Sequence, residues 1–273
     1  MRTSDRIGSA FSRPPFELQS DLVRRVIDWI VTIPFLVLLV LALVVCDPIF
    51  RISRLFGIRS VGYVASAFMW MLQRLVFPVN GTQTVIEKSP AVRPHTPYII
   101  ISNHQSLYEF PLFGTALFSN LPGFISKVEN GSWYPTVSFY LRNGPCGLID
   151  RRDRRGAIRV ITELGSQAQR LGHSVLIYPE GTRARDGELK EYKRAGTLAL
   201  LKAAPELAVV PVAVEGGWIA MRHNFFPVPF GTRMRIRVGD PIARHPGEDG
   251  AAIVGEARAF AERALVEWRG IEA

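Results

Sequence analysis

"YIIISNHQSLYEF", residues 98 to 110, decides how the chain is read. Its first half is an apolar, isoleucine-rich run with the composition of a buried strand. Its second half turns polar and sets His104 five positions before Glu109. Residues five apart on one continuous helix point about 140° apart, so an imidazole–carboxylate contact requires His104 to stand ahead of a helix beginning near Ser106. The spacing therefore predicts a strand-to-helix corner. A carboxylate that keeps one imidazole nitrogen protonated leaves the other free as a general base. A polar helix-capping turn would use the same residues, and the stretch by itself leaves both readings open.

Working outward, the chain beyond Pro78 alternates short apolar runs with helical stretches. Strands are expected at Gln83 to Glu87, Tyr98 to Ser102, Gly123 to Lys127, Cys146 to Asp150, Val175 to Tyr178, Ala208 to Val214 and Arg233 to Val238. Helices are expected at Ser106 to Ser119, Trp133 to Arg142, Arg155 to Leu171, Gly196 to Ala204 and Asp249 to Trp268. This alternation is that of an α/β fold with a mixed, mostly parallel sheet flanked by helices. Ligands in such folds collect beyond the carboxyl ends of the strands. Three polar segments stand at such ends: "SNHQS", "DRRDRR" and "PEGTRARDG". If their strands run parallel, His104, Glu109, Asp150, Arg151, Glu180 and Arg183 share one crevice.

Residues 1–77 read differently and are expected to form a membrane-associated helical segment, leaving 78–273 as the α/β domain. "WIVTIPFLVLLVLALVVC", Trp29 to Cys46, carries no formal charge and is long enough to cross about 30 Å of hydrocarbon. It starts late and ends in "CDPIF", which fits a cleaved signal peptide poorly. A second stretch, Val61 to Phe77, is apolar around Arg74 and offers Tyr63 and Trp70 to an interface. Basic residues flank the first stretch on both sides, so a helical hairpin with both ends on one face explains the charges as well as a single span does. A buried core helix is the competing reading.

The 273 residues carry a formal net charge of +9, mostly arginine, and 48% hydrophobic residues. That balance implies an anionic partner, either a phosphate-bearing substrate or an acidic membrane surface. Nucleic acid ranks last among anionic partners and is not expected, because no zinc finger, aromatic ribonucleoprotein motif or long basic run occurs. Cys46 and Cys146 are too few for a disulfide framework, and no metal site is expected from five scattered histidines. No Gly-x-Ser-x-Gly elbow, phosphate-binding loop or dinucleotide fingerprint occurs. What remains is a base without a protein nucleophile, beside arginines. That set suits direct transfer, in which the base deprotonates a substrate hydroxyl that attacks an activated carbonyl while arginine holds a phosphate.

"NHQSLYE" resembles the Asn-His-x4-Asp motif of the glycerolipid acyltransferases, the family that includes the 1-acylglycerol-3-phosphate acyltransferases. Ser126 to Asp153 resembles the family's second motif, "YPEGTRA" from Tyr178 its third, and "VVPVAVEG" from Val209 its fourth. The resemblance covers roughly residues 78 to 240, and the segments fall in the family's order. It implies that His104 is the base and Glu109 orients it. It further implies that Lys127, Arg151 and Arg183, with Glu180, Gly181 and Thr182 shaping the site, receive the acceptor's phosphate. No acyl-enzyme and no cofactor are implied. An acyl-CoA or acyl-carrier protein supplies the thioester, and a lysophospholipid such as lysophosphatidate accepts the chain. Another lysolipid, for instance lyso-ornithine lipid, is the alternative acceptor, and a non-enzymatic protein binding anionic lipid is the alternative class. The location expected is a bacterial inner membrane with the catalytic domain on the cytoplasmic face. The sequence departs from the family in carrying Glu109 where Asp is usual.

Overall fold

The computed structural model describes residues 21–132, 134–245 and 248–270. Trp133, where one helix was expected to begin, lies outside them, as do the first twenty residues of the amino-terminal segment.

The chain opens with α1, Asp21–Ser53, and α2, Ile58–Met71, separated by a turn at Gly57. A π-turn at Leu72–Val76 and a 3-10 turn at Phe77–Asn80 lead into the sheet. The strands and helices that follow are β1 (Gln83–Lys88), β2 (Ile99–Ser102), α3 (Phe110–Ala116), β3 (Pro122–Lys127), α4 (Val137–Asn143) and β4 (Gly147–Ile149). After these come α5 (Arg154–Leu171), β5 (Ser174–Ile177), α6 (Arg194–Ala203), β6 (Val209–Glu215), α7 (Gly217–Ala220), β7 (Arg233–Val238) and α8 (Gly250–Arg269). Expected and observed strand ends agree within a residue or two. The expected single helix from Ser106 is instead a 3-10 turn at Leu107–Glu109, α3, and a second 3-10 turn at Phe118–Asn120.

The strands form one sheet of seven in the order β1-β7-β6-β2-β5-β3-β4. Only β6 and β7 pair antiparallel, so β2, β3, β4, β5 and β6 all point their carboxyl ends to one edge. The parallel condition set by the three polar segments is thereby met. Alternation along β2 sends Ile100 into the core beneath α1 to α3 and Ile99 and Ile101 into the core under α5, α6 and α8. The charge run at 150–155 supplies a helix cap: Asp153 Oδ1 accepts from Gly156 N at 2.9 Å and starts α5.

α1 has two distinct sides. Ile30, Ile33, Val37, Val40, Leu41, Val44 and Val45 are exposed, whereas Phe35 and Phe50 are buried against the domain. The helix is long and apolar enough to cross a membrane, with a mean hydropathy of 2.9, and only 11% of its apolar window is buried. It is therefore not a buried core helix. Asp28 and Asp47, at either end of the uncharged stretch, tether it. Phe230 N donates to Asp28 Oδ1 at 2.7 Å and Thr136 N donates to Asp47 Oδ1 at 2.7 Å. Between them Val228 N donates to Thr32 Oγ1 at 2.8 Å. α2 packs on α3 so closely that a Cβ at Gly114 would stand 2.4 Å from Met69 Cβ. The glycine permits the two backbones to approach.

Candidate active site

β2 ends at Ser102 and the chain turns sharply across the sheet edge. Asn103 fixes the turn: its Nδ2 donates to Val214 O at 2.9 Å and its Oδ1 accepts from Val214 N at 2.8 Å, a two-way clasp onto β6. His104 follows, 7% exposed as a residue, with its ring held 2.5 Å, through Nδ1, from Oε1 of the wholly buried Glu109. The other carboxylate oxygen, Oε2, accepts from Gln105 N and Ser106 N, each at 3.1 Å. Ser106 Oγ accepts from Tyr108 N in return, which completes a capping box. The two readings of the opening stretch are thus one structure. Glu109 caps the helical turn with one oxygen and holds the imidazole with the other.

A carboxylate beside Nδ1 places the ring proton there, since an ionised carboxylate can only accept. Nε2 then carries the lone pair, and no protein group among the described residues bonds to it. The ring is fixed further by Tyr178, whose plane stacks on it at 4.0 Å and 14°. Burial and the neighbouring Glu109 and Glu180 push the Tyr178 phenol well above its usual value, so it stays neutral.

Glu180 reaches the corner from the loop after β5. His104 N donates to its Oε1 at 2.7 Å and Lys190 N to its Oε2 at 3.3 Å, so it clasps the loop to the corner. Burial raises its carboxyl to about 7. Gly181 turns the loop with φ +67, and Thr182 is exposed. Arg183 lies half-buried, close enough to Glu109 and to Arg151 for their charges to be felt, with Nη1 3.5 Å from Met221 Sδ. Burial foremost lowers the pKa of both guanidinium groups from the usual arginine value. Arg151 stands just past β4, and exposed Lys127 closes the adjacent β3, paired in register with Ile149. Lys127 is thus brought to the same edge as the corner but not into contact with it. Asp150 accepts from Arg152 N at 2.8 Å and makes no ion pair with Arg151 among the described residues.

Residues 83–215, from β1 to the end of β6, match the family model described as Acyltransferase. This chain carries an acyltransferase-family domain. The chain is 28% identical over 186 residues to a Pseudomonas aeruginosa protein named 1-acyl-sn-glycerol-3-phosphate acyltransferase, covering 68% of this chain and 66% of that one. It is 31% identical over 159 residues to a Cocos nucifera protein of the same name, covering 55% of this chain and 47% of the relative. The chain thus spans about half to two thirds the length of these curated relatives. Among solved structures, the 1-acyl-sn-glycerophosphate acyltransferase PlsC from Thermotoga maritima shares the fold with a TM-score of 0.72 at 19% identity, over 92% of this chain and 99% of that one.

The acyltransferase domain also borders a feature that no motif announces. A cavity of about 520 Å³ lies between α1, α2 and the corner, lined among others by Phe35, Leu39, Phe68, Tyr108, Phe110 and Tyr140. Phe110 joins it to the site, its ring centre 6.3 Å from that of His104. The volume falls in the range of small-ligand pockets. Phe225 lines this cavity and packs on Tyr108 at 5.4 Å. Phe226 is 51% exposed and meets Trp29 edge-on at 4.5 Å.

Proposed function

We propose that this chain moves a fatty acyl group from an acyl thioester, carried by coenzyme A or a carrier protein, to the free hydroxyl of lysophosphatidate. The observation that carries the reading is the His104–Glu109 pair, with Nε2 unengaged beside an apolar cavity. Nε2 takes the hydroxyl proton as the hydroxyl oxygen attacks the thioester carbonyl. The C–S bond then breaks, and the imidazolium returns the proton to the leaving thiolate. Glu109 holds the ring and offsets its transient charge. No acyl-enzyme forms: Ser106 Oγ is committed to the Tyr108 amide, and burial pushes the Cys146 thiol up to about 12. Arg151 and Arg183 receive the acceptor phosphate, with Lys127 at the rim, and the cavity takes an acyl chain.

Purified protein given an acyl thioester and lysophosphatidate is expected to release free thiol, and His104→Ala to abolish that release. Equal release by the variant would remove His104 from the mechanism. Competition among a panel of lysolipids, including lyso-ornithine lipid, identifies the acceptor.

The same reading places α1 and α2 as a hairpin embedded in one leaflet, on the cytoplasmic face of a bacterial inner membrane. Support comes from the tethers at Asp28, Thr32 and Asp47, which lay about 28 Å of α1 along the domain at 1.5 Å per residue. In a background lacking Cys46 and Cys146, Arg24→Cys and Gly57→Cys are expected to label from the same side of sealed vesicles. Labelling from opposite sides would establish a span instead.

A further inference from the structure

A second polar network lies behind the corner, and its outermost member belongs to the last helix, beyond the matched residues 83–215. Glu215 ends β6 and is 2% exposed. Its Oε2 accepts from Gln105 Nε2 and from Arg269 Nη2, both at 2.8 Å, and its Oε1 accepts from Trp218 Nε1 at 3.2 Å. Arg269 closes α8 and has a second task. Its Nη2 donates to Gly187 O at 2.6 Å, and its Nη1 stands 3.7 Å from Glu188. Gly187 lies on the loop that carries Arg183, at φ +81, where a Cβ would collide with Trp218 Nε1 at 2.6 Å. Only glycine lets the loop pass that close to the indole.

The hydrogen-bonding partners decide which way the Gln105 amide points. A carboxylate paired with a guanidinium accepts only, so the Gln105 nitrogen must face Glu215 and the oxygen must face away. That oxygen, Oε1, is buried with no partner among the described residues. Gln105 lines a small cleft with Arg183, Arg185, Trp218, Met221 and Asn224, immediately next to His104 in the chain. An unpartnered buried acceptor is costly unless something donates to it. The cleft that Gln105 lines also contains Arg183, one of the groups assigned to the acceptor phosphate.

We propose that Arg269 is a positioning residue for the acyl-transfer site: through Glu215 it orients Gln105 so that Oε1 faces the cleft as a hydrogen-bond acceptor for a donor group, a hydroxyl, on the acceptor substrate. Through Gly187 it also holds the loop that presents Arg183. This inference deepens the reading given above and rests on it. Arg235, opposite Glu215 on β7, is a second cation near the same carboxylate, but the bonds to Gly187 and to Glu215 Oε2 belong to Arg269.

The test measures acceptor KM and kcat at saturating thioester, using the lysolipid that the wild-type protein turns over best. Arg269→Ala is expected to raise acceptor KM about 10-fold, the scale of one hydrogen bond, with kcat within about threefold. Arg269→Lys keeps the charge and is expected to recover most of the loss. A purely structural role would reduce the folded fraction, lowering the apparent kcat and leaving KM unchanged, and that result overturns the proposal. Should Arg269→Ala fail to fold, the neutral pair Arg269→Gln with Glu215→Gln strands no buried charge. Raised KM in that pair supports the inference, and wild-type KM overturns it. Gln105→Leu is expected to raise KM likewise, and adding Arg269→Ala to it should cost less than the product of the two single effects. Hydrogen exchange across residues 181–193 supplies a readout independent of turnover. Faster exchange in Arg269→Ala is expected, and unchanged exchange refutes the tether even where the acceptor assignment fails.

Discussion

The polar corner at His104 and the apolar cavity beneath α1 share Phe110 and Tyr108, yet opposite kinds of interaction build them. The corner is specified by pairs: Asn103 with Val214, His104 with Glu109, Glu180 with two backbone amides. Every donor and acceptor there has a geometric demand, so a change of one atom type is felt. The cavity is specified by what does not fill it, and its walls come from α1, α2, α4 and the turn after β2. Its shape tolerates apolar substitution provided volume is kept. Chemistry therefore resides where partners are obligatory, and substrate length where only volume counts.

The sharpest way to break this contrast is to alter the corner one atom at a time. His104→Ala should lower kcat by about 10,000-fold, the upper range for a positioned base, with little change in acceptor KM. Steady-state thiol release measures both. Glu109→Gln should cost about 1,000-fold by a route the structure dictates. The Gln105 and Ser106 amides require an oxygen, so the new NH2 would face His104 Nδ1 and force the proton onto Nε2. The wrong tautomer cannot act as the base. Glu109→Asp keeps the charge but not the reach to both tasks, and should lie between wild type and Glu109→Gln. If Glu109→Gln matched wild type, the carboxylate would be a cap alone.

How much could be read beforehand divides along the same line. The corner was legible because its residues are close in sequence: a histidine and a carboxylate five apart after an apolar run admit few geometries. The strand directions followed from β–α alternation, and with them the meeting of "NHQS", "DRRD" and "PEGTR" at one edge. Asn103 stood in the quoted stretch, but its partner Val214 is 111 residues away and carries no signal. Glu180 was expected to shape the site, but the partners through which it holds the loop, the backbone amides of His104 and Lys190, leave no mark on residue types. Asp28 and Asp47 looked like the ends of an apolar segment, and only the packed structure shows them as tethers. The cavity was invisible, because a void is set by many residues that each read as ordinary core.

The cavity offers the next test of the contrast, and there the direction of change should differ. Leu39→Trp on α1 places an indole in the void and should leave the His104–Glu109 bond untouched. Long acyl donors lose room for about four methylenes, some 3 kcal/mol of burial or about 100-fold in kcat/KM. Short donors should keep nearly wild-type rates. A variant that slowed all chain lengths equally would show that the cavity supports the corner mechanically instead of holding the chain.

The smallest effect concerns Glu180, a charged group of the corner that pays for its burial. Its carboxyl is raised to about 7, chiefly by desolvation, against 4.5 in the unfolded chain. Between those values the folded state binds the proton that the unfolded state has released, so unfolding free energy falls as pH rises. The stabilising contribution is complete below about 4.5 and is lost on passing upward through about 7. The change is about 3 kcal/mol in order of magnitude. Glu180→Gln removes the titration while keeping an oxygen for the His104 amide. Denaturation in detergent at pH 5 and pH 8 should show wild type losing more stability than the variant across that window. Activity of Glu180→Gln should fall only a few-fold, because the base itself is held by Glu109. Parallel stability curves would mean that water reaches the carboxylate in solution, and the clasp between loop and corner would then be looser than the 2.7 Å contact implies.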